Sequence, residues 1–416
     1  MISNDYANAA SANRADEPYG GTAQWLADAK QTLLFTAARP DVVMERGEGM
    51  YLWDTEGKRY LDFIGGWAVT CLGHSPAVIS EALERQATTL VNASPSFYNK
   101  PMIELAKRLT QLSGFDKAFF ASTGAEANEG AIKLARKHGA LNLGGAYEIV
   151  TTVNSFHGRT LATMSATGKS RWEALFAPKV PGFKHVPLND AESLLAAVDE
   201  RTCAVMLEPV QGEGGVHAAD AGYLQTVRKL CDERGLMLIF DEVQTGLGRT
   251  GTMFAFEHDG IRPDVMTLGK GIGGGFPLSA LLTTSRFDLF EPGEQGGTYI
   301  GQPLAMAVGN AVVREIVERK LHEHAKEMGD YITRGLESLA NAYGLSRIRG
   351  KGLLLAFDLP APRGPELVAA CMEAGLLINS PSPSTIRLMP PLIVSRSQAD
   401  DMLALLCGAM DRLRAD

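Results

Sequence analysis

Residues 236–241 read Leu-Met-Leu-Ile-Phe-Asp, five apolar residues followed directly by a carboxylate. An uninterrupted apolar run of this length is typical of a strand that is buried on both faces of a parallel sheet. Similar runs recur between Lys117 and Thr284, and helical patterns separate them. The predicted strands are Ala118–Ala121, Glu148–Val153, Cys203–Leu207, Leu236–Phe240, Val265–Leu268 and Ala280–Thr283. This alternation predicts an α/β domain built on a large, mostly parallel sheet.

The pattern changes on both sides of this central region. Residues 49–63 alternate apolar and polar residues around Thr55-Glu56-Gly57, which predicts a hairpin. Beyond Pro303 we predict one long helix, roughly residues 304–340, and then strands near 352–358 and 386–388. We therefore expect three parts: a large ligand-binding domain over 76–305, a smaller α+β domain over 306–416, and an N-terminal segment over 1–75 that packs with the small domain. Residues 1–20 are predicted to form a flexible tail.

Composition limits the classes of function. The 416 residues are enough for two domains, and 45% hydrophobic with 21% charged residues is ordinary for a globular protein. A net charge of −8 argues against a nucleic-acid partner. The five cysteines form no CxxC motif, which predicts reduced thiols and neither a disulfide frame nor a metal site. Without an apolar signal segment or a membrane-length apolar run, we expect a cytoplasmic protein that binds no membrane.

Reactive side chains follow the predicted strands. In open α/β sheets, ligands bind beyond the carboxyl ends of the strands, so these side chains are expected to converge at one edge. They are Phe156, His157 and Arg159 after the second strand, Glu208 and Glu213 after the third, Asp241 after the fourth and Lys270 after the fifth. Such convergence favours a catalytic site over a set of unrelated surface charges. For His157 the pattern assigns no role, and Glu208 is expected to orient its turn.

Asp241 and Lys270 suggest a particular chemistry. A strand-end aspartate can simply cap the next turn, but a buried carboxylate can also hold a cationic ring nitrogen. A single lysine is most often a solvated surface charge. Lys270, however, lies between Gly269 and Gly271 after an apolar strand, and a desolvated lysine becomes a nucleophile towards an aldehyde.

Two glycine-containing stretches are candidates for a phosphate site. Gly269, Gly271 and Gly274 spell GxGxxG, but Phe276-Pro277 follows instead of a helix start, so we reject a dinucleotide site. Residues 122–125 (Ser-Thr-Gly-Ala) follow the first predicted strand and open a helical stretch that we expect to end near Lys137. Free N–H groups and hydroxyls at a helix start bind phosphate, although the same residues also serve as an ordinary cap.

Taken together, these segments resemble the class III (ω-amino) aminotransferases, which have the type I fold of pyridoxal-phosphate (PLP) enzymes. The matching segments include LDFIGGWAV, STGAEANEGAIKLAR, FHGRT, EPVQGEGGV, FDEVQTGLGRTG, DVMTLGKGIGGGFP, GGTYIGQPLA and IRLMPPL. The resemblance runs from about residue 51 to residue 394. It implies that the predicted large domain binds the cofactor.

The resemblance also implies roles for individual residues. Lys270 would carry pyridoxal 5'-phosphate on its amine and move the proton during catalysis. The remaining cofactor contacts would come from Asp241 at the ring nitrogen, Gln244 near the phenolic oxygen, Phe156 and Val243 on the two ring faces, Thr123, Gly124 and Ala125 at the phosphate, and Thr298 of a neighbouring subunit. The enzyme would therefore be a homodimer with shared active sites. Arg159 and Arg387 would bind substrate carboxylates, and Glu213 would pair with Arg387 while the amino donor is bound.

Within the family, FIGGWAVTCLGH, QGEGGV and NSPSPSTIRLMPPL resemble the acetylornithine branch, which is associated with arginine biosynthesis. Three departures affect the expected substrate: Ala125 in place of threonine, Trp67 in place of a smaller aliphatic residue near the substrate entrance, and residues 299–302 (Tyr-Ile-Gly-Gln) in place of Gly-Gly-Asn. We expect transamination between N-acetylornithine and 2-oxoglutarate.

Several alternatives stay open at this point. Ornithine, succinylornithine, 4-aminobutyrate or a diamine could be the donor. An aminomutase or epimerase of the same fold is a second possibility, and a cofactor-binding protein without catalysis is a third. The sequence leaves open whether a biosynthetic or a catabolic pathway is served and whether dimers pair into tetramers.

Overall fold

Four sheets organise residues 21–415, the part of the chain that this computed structural model describes. The predicted tail over residues 1–20 lies outside these residues. The strands are β1 (Met44–Glu48), β2 (Tyr51–Asp54), β3 (Arg59–Asp62), β4 (Lys117–Ala121), β5 (Glu148–Thr152), β6 (Phe183–Val186), β7 (Thr202–Leu207), β8 (Val210–Gln211), β9 (His217–Ala218), β10 (Met237–Asp241), β11 (Val265–Leu268), β12 (Ser279–Thr283), β13 (Ser346–Lys351), β14 (Leu354–Asp358), β15 (Leu376–Leu377), β16 (Asn379–Ser382) and β17 (Thr385–Leu388). The helices are α1 (Gly21–Thr32), α2 (Gly65–Ala68), α3 (Ala77–Ala87), α4 (Lys100–Ser113), α5 (Gly124–Asn142), α6 (Leu161–Ala166), α7 (Ala191–Ala197), α8 (Ala221–Arg234), α9 (Pro303–Glu318), α10 (Leu321–Tyr343), α11 (Gly364–Glu373) and α12 (Arg396–Ala415).

The largest sheet has seven strands in the order β4-β12-β11-β10-β7-β5-β6. Its neighbours pair in parallel except at β12, which is antiparallel to both β11 and β4. The predicted α/β class with a mostly parallel sheet is therefore confirmed. All six predicted strands occur within one or two residues of their predicted bounds. The seventh strand, β6, was not predicted because it is a half-exposed edge strand without an apolar run.

The antiparallel direction of β12 has a simple geometric cause. The connection from β11 to β12 spans only residues 269–278. A parallel crossover needs about a dozen or more residues, usually with a helix, so this short loop returns the chain in the opposite direction. The same loop carries Lys270, which is thus held at the edge of the sheet directly after β11.

The N-terminal strands join the C-terminal part of the chain. β1, β2 and β3 form an antiparallel sheet, including the predicted hairpin, and β3 pairs in parallel with β15. The N–H of Leu61 donates to the carbonyl of Gly375 at 2.8 Å. A separate antiparallel sheet, β13-β14-β17-β16, carries Arg387 on β17. This pairing supports our proposal that the segment before residue 76 packs with the smaller C-terminal unit.

The prediction of a single helix over 304–340 was wrong. The chain instead forms α9 and α10, and Lys320 between them has a left-handed backbone with φ of 52°. No glycine or proline stands at residues 318–322, so the local sequence carries no breaking signal. Helix α5 is also longer than predicted and continues to Asn142.

The cysteines of the described residues carry free thiols. Cys71, Cys203, Cys231 and Cys371 are buried and free, and Cys407 is half-buried and free. Within residues 21–415, none of the helices combines the length and the apolar character that crossing a membrane would require.

Candidate active site

Asp241 forms the floor of the site at the end of β10. Its side chain is only 3% exposed, and two side chains donate to its Oδ2: Asn128 Nδ2 at 2.7 Å and His157 Nδ1 at 2.8 Å. Oδ1 accepts from the N–H of Val243 at 3.0 Å. A buried carboxylate needs such partners because it has lost its water. Since an ionised carboxylate can only accept, Nδ1 of His157 is the donor.

Asn128 holds Asp241 and His157 in position through two further hydrogen bonds. Its Nδ2 also donates to the His157 carbonyl at 2.8 Å, and its Oδ1 accepts from Thr267 Oγ1 at 2.7 Å. The residue lies on α5, one turn after Gly124, and is buried among alanines. Sequence reasoning missed Asn128 and assigned no role to His157. An isolated asparagine on the alanine-rich face of a helix was the available signal.

Lys270 faces the same cavity from the loop after β11. Its backbone is left-handed, with φ of 45°, a conformation that costs a lysine of order 1–3 kcal/mol and is found mainly at functional sites. Desolvation lowers the pKa of Lys270; Glu213, Asp241 and Glu208 oppose that change, and Arg387 reinforces it. The lowered pKa favours the neutral amine, which is the nucleophilic form.

The N-terminus of α5 closes one end of the cavity. Thr123 caps this helix and shares a capping box with Glu126, whose carboxylate accepts from the N–H groups of Ser122 and Thr123. The N–H groups of Gly124 and Ala125 belong to the first helical turn, where the helix itself supplies no acceptor. A Cβ on Gly124 would lie 2.6 Å from Cγ1 of Val243, so only glycine allows this close approach.

The cavity enclosed by these elements has a volume of about 470 Å³. Its lining residues are Thr123, Gly124, Ala125, Asn128, Phe156, His157, Gly158, Arg159, Thr160, Glu208, Glu213, Asp241, Val243, Gln244 and Lys270. All the residues predicted to contact the cofactor from within the same chain therefore line this one cavity. Thr298 is exposed and is not among the lining residues.

The cavity fits the cofactor that the sequence resemblance implies. Gln244 is buried, and within residues 21–415 neither its Oε1 nor its Nε2 has a hydrogen-bond partner. A buried amide without partners is costly, so these atoms are suited to a polar ligand in the cavity. Phe156 and Val243 supply apolar contacts for a flat ring, Asp241 supplies a carboxylate, and the start of α5 supplies donors for a phosphate.

Glu208 supports the ring-stacking residue. Its Oε2 accepts from the N–H of Phe156 at 3.0 Å and its Oε1 from the N–H of Gly212 at 3.4 Å. Burial raises the pKa of Glu208 to about 7; His157 lowers it and Asp241 raises it further. The side chain therefore ties the two loops together, which agrees with the orienting role expected from the sequence.

Arg387 and Glu213 form a closed pair beside Lys270. Arg387 is fully buried, and its Nη1 lies 2.6 Å from Glu213 Oε1. Its Nε and Nη2 both donate to Asn379 Oδ1, at 2.9 and 2.7 Å. Burial raises the pKa of Glu213, but Arg387 and Lys270 outweigh this effect and leave it below its usual value. The guanidinium is thus neutralised by a carboxylate of the same chain.

The other predicted substrate residues are exposed. Arg159 is exposed at the cavity wall, and its guanidinium lies 5.3 Å from the centroid of the Trp172 ring. Trp67 is 54% exposed and is not among the lining residues, but its helix α2 lies against the turn Lys270–Ile272. Trp67 has a left-handed backbone with φ of 62°, which is unusual for a large side chain. Trp172 and Lys169 were not predicted as site residues.

Known proteins match almost the whole chain. The family model described as "Aminotransferase class-III" matches residues 36–410. Acetylornithine aminotransferase of Ralstonia nicotianae is 51% identical over 383 residues, which cover 90% of this chain and 96% of the relative. The crystal structure of acetylornithine aminotransferase from Elizabethkingia anophelis has 33% identity and a TM-score of 0.84, with 94% of this chain and 99% of that chain covered. Ornithine aminotransferase from Toxoplasma gondii has 30% identity and a TM-score of 0.91, with 95% and 96% covered.

Proposed function

Because the chain belongs to the class III aminotransferase family, we propose that it transfers the terminal amino group of N-acetylornithine to 2-oxoglutarate. The products would be a semialdehyde and glutamate. The enzyme is a transaminase that uses pyridoxal phosphate. The proposal therefore concerns the two substrates, and the names of the relatives in Ralstonia nicotianae and Elizabethkingia anophelis support the choice of donor.

The pair of Arg387 and Glu213 carries this proposal. The amine-bearing carbon of an ω-amino donor has no carboxylate, so a buried guanidinium beside it would be left without a counter-ion. Glu213 supplies one at 2.6 Å. When a 2-oxo acid binds, its own carboxylate can replace Glu213 on Arg387 as a charge-assisted, bidentate partner. One pocket can thus serve both half-reactions.

The residues of the chain divide the chemistry among them. Pyridoxal phosphate, when bound, supplies the electron sink that stabilises negative charge at the reacting carbon. Asp241, fixed by Asn128 and His157, would hold the ring nitrogen in its cationic form. Lys270, whose amine has a lowered pKa, would accept and return the proton at that carbon, and Arg159 would offer a cation at the cavity wall for the distal carboxylate of the substrate.

A homodimer would complete the site through Thr298. Exposed apolar residues lie around this position: Tyr299 is 65% exposed, Tyr98 88%, Phe97 67% and Ile103 53%. Tyr98, Ile103 and Ile300 line one surface hollow, so the two segments are neighbours. Contiguous exposed apolar surface marks an interaction site. The proposed homodimer uses this surface, with its two-fold axis arranged so that Thr298 of each chain reaches the cavity of the other.

A mixing experiment tests the shared site. Thr298→Ala is expected to weaken cofactor retention about ten-fold because one hydroxyl donor is lost. In a mixed dimer of a Lys270→Ala subunit and a Thr298→Ala subunit, the one site that keeps Lys270 also receives an intact Thr298, so cofactor retention at that site should return to the wild-type value. Sedimentation as a monomer, or no recovery in verified mixed dimers, would contradict the shared site.

A substrate panel tests the proposed reaction. The loaded enzyme is incubated with 2-oxoglutarate and each of N-acetylornithine, ornithine, succinylornithine, 4-aminobutyrate and a diamine, and glutamate is measured. N-acetylornithine is expected to have the highest kcat/KM. If another donor has a higher kcat/KM, that donor is the preferred substrate and N-acetylornithine is not. If no donor yields glutamate, the proposed transfer to 2-oxoglutarate is wrong. Exchange of the amino group within one molecule, without 2-oxoglutarate, would identify a mutase.

A further inference from the structure

Trp172 forms an aromatic platform beside the substrate side of the cavity. Its indole is 6% exposed and meets Phe156 edge-on, with ring centroids 5.8 Å apart. Three cations lie over its ring: Arg159 at 5.3 Å, Lys169 at 5.5 Å and the exposed Arg171 at 5.8 Å from the ring centroid. Lys169 also lies 5.3 Å from the centroid of Phe156, the ring-stacking residue. Three positive charges are therefore gathered on one buried ring beside the cavity. Lys169 itself lines the neighbouring hollow, and it is linked to the cavity through Phe156, which lines the cavity wall.

Lys169 lacks a counter-ion of its own. Within residues 21–415 its ammonium makes no hydrogen bond or ion pair, and the close partners of the ammonium are the two aromatic faces. Burial lowers the pKa of Lys169, and the charges that act on it include Glu213, which raises the pKa, and Arg387, which lowers it. The ammonium is thus partly desolvated and lies within electrostatic range of the switching pair. A desolvated cation without a partner is costly unless a ligand supplies the anion.

Arg159 is exposed to solvent, but its guanidinium also lacks a counter-ion among the described residues. In the described chain it makes no hydrogen bond or ion pair, and the Trp172 ring is its close partner. Cation–π contacts hold a charge in place without neutralising it. The platform therefore keeps two positive groups in position while leaving their hydrogen-bond donors available. A carboxylate, which has two acceptor oxygens, is the ligand that matches two such donors.

We propose that Lys169 is a second carboxylate-binding cation of this site, held together with Arg159 on the Trp172 platform, and that it favours dicarboxylate substrates. This inference rests on the proposed function, in which the acceptor is a dicarboxylate. Arg387 takes one carboxylate of the acceptor, and Arg159 and Lys169 share the other. Lys169 is thus a specificity-determining residue.

Three variants separate the charge of Lys169 from its packing. Lys169→Met keeps an unbranched apolar stem against Phe156 and Trp172 but removes the ammonium. Lys169→Arg keeps the charge. Arg171→Met is the matched control, because Arg171 is an exposed cation that lies 5.8 Å from the same ring centroid.

The experiment uses the loaded enzyme with glutarate, an unreactive dicarboxylate with the chain length of 2-oxoglutarate. For Lys169→Met we expect the Kd of glutarate, measured by calorimetry, and the KM for 2-oxoglutarate to rise about ten-fold, since one charge-assisted contact is lost. The kcat and the visible absorbance of the cofactor should stay near the wild-type values. Lys169→Arg and Arg171→Met should both remain within about three-fold of wild type in these constants, because each keeps the two cations.

Three results would overturn the proposal. The first is a Kd for glutarate in Lys169→Met within about two-fold of wild type, which is less than an ordinary hydrogen bond contributes. The second is an equal loss in Arg171→Met, which would indicate a general field effect. The third is a loss of cofactor absorbance without a change in glutarate affinity, which would indicate a packing role. If the wild type forms glutamate while one of these results is obtained, the proposed function stands. If the wild type neither forms glutamate nor binds glutarate, both proposals fail.

Discussion

The two sides of the cavity differ in how fully their polar groups are paired. On the cofactor side, Asp241 is buried and each of its oxygens accepts from a donor of the chain. On the substrate side, Arg159 and Lys169 rest on an aromatic ring without a counter-ion in the described residues. On the first side, the carboxylate of Asp241 is paired before any substrate arrives, and the amide of Gln244 is left for the cofactor. The pairing on the second side is completed by the substrate.

This difference follows from what each side must do. A group that stays bound through every cycle is best held by a preorganised, fully hydrogen-bonded shell. A pocket that must accept two substrates in turn needs charges that can be re-paired, and Arg387 with Glu213 is such a pair. The contrast predicts large losses from changes on the cofactor side and selective, smaller losses on the substrate side.

The largest loss is expected from Lys270→Ala. Removing the only amine assigned to proton transfer should lower kcat by on the order of 10³-fold or more, as for the loss of a positioned general base. Steady-state rates with the preferred donor measure the effect. Lys229→Ala, at a side chain that is 76% exposed, is the control and should leave kcat unchanged. Turnover at the wild-type rate in Lys270→Ala would refute the assignment of this residue.

Asp241→Asn should give the next largest loss. The amide keeps the shape of the carboxylate but not its charge, and breaking a buried ion pair costs about 3–5 kcal/mol. We expect cofactor retention to weaken about 10²-fold or more. Dialysis of the loaded enzyme followed by absorbance measures this, and the thermal midpoint reports whether the fold is kept. If Asp241→Asn retains the cofactor as well as the wild type does, Asp241 does not pair with the ring nitrogen.

Glu242, the neighbour of Asp241, is a buried carboxyl group whose hydrogen-bond donors among the described residues are all neutral. Its response to pH is therefore expected to appear as a change in stability. It accepts from the N–H groups of Ala255 and Phe256, and burial raises its pKa from 4.5 to about 7. The folded state then holds a proton that the unfolded state has lost, so stability falls as pH rises from about 4.5 to 7. This contribution is at most roughly 3 kcal/mol.

Denaturation of wild type and Glu242→Gln at pH 5 and pH 8 checks this expectation. The variant cannot titrate, so its stability should fall less with rising pH than that of wild type. Glu318→Gln is the control, because Glu318 is exposed and is not among the groups that act on the pKa of Glu242. Identical pH dependence in wild type and Glu242→Gln would show that Glu242 is ionised throughout this range.

The smallest and most selective change is expected from Glu213→Gln. Without its negative partner, Arg387 keeps an unneutralised charge while the ω-amino donor is bound, so the KM for the donor should rise about ten-fold. The KM for 2-oxoglutarate should fall or stay unchanged, because the acceptor no longer competes with Glu213. Separate half-reaction kinetics measure both constants. Equal changes in the two half-reactions would contradict the switch.

The buried strands of the large domain could be predicted from local sequence patterns. Asp241 and Lys270 each end a continuous apolar strand, and parallel strands bring such ends to one edge of the sheet. The six central strands were therefore predicted together with the residues beyond them. The half-exposed strand β6 and the break at Lys320 carry no comparable signal, because neither alters the apolar periodicity.

By itself, the sequence determined the fold class, the catalytic lysine with its buried carboxylate, and the family, because these depend on burial patterns and motifs that lie along a few consecutive residues. Only the tertiary structure decided which groups surround them. Asn128 and His157 reach Asp241 from elements 113 and 84 residues away. Lys169 lies only three residues before Trp172, but Arg159 reaches the same ring from 13 residues away. Contacts of this kind depend on packing in three dimensions, which local periodicity does not encode.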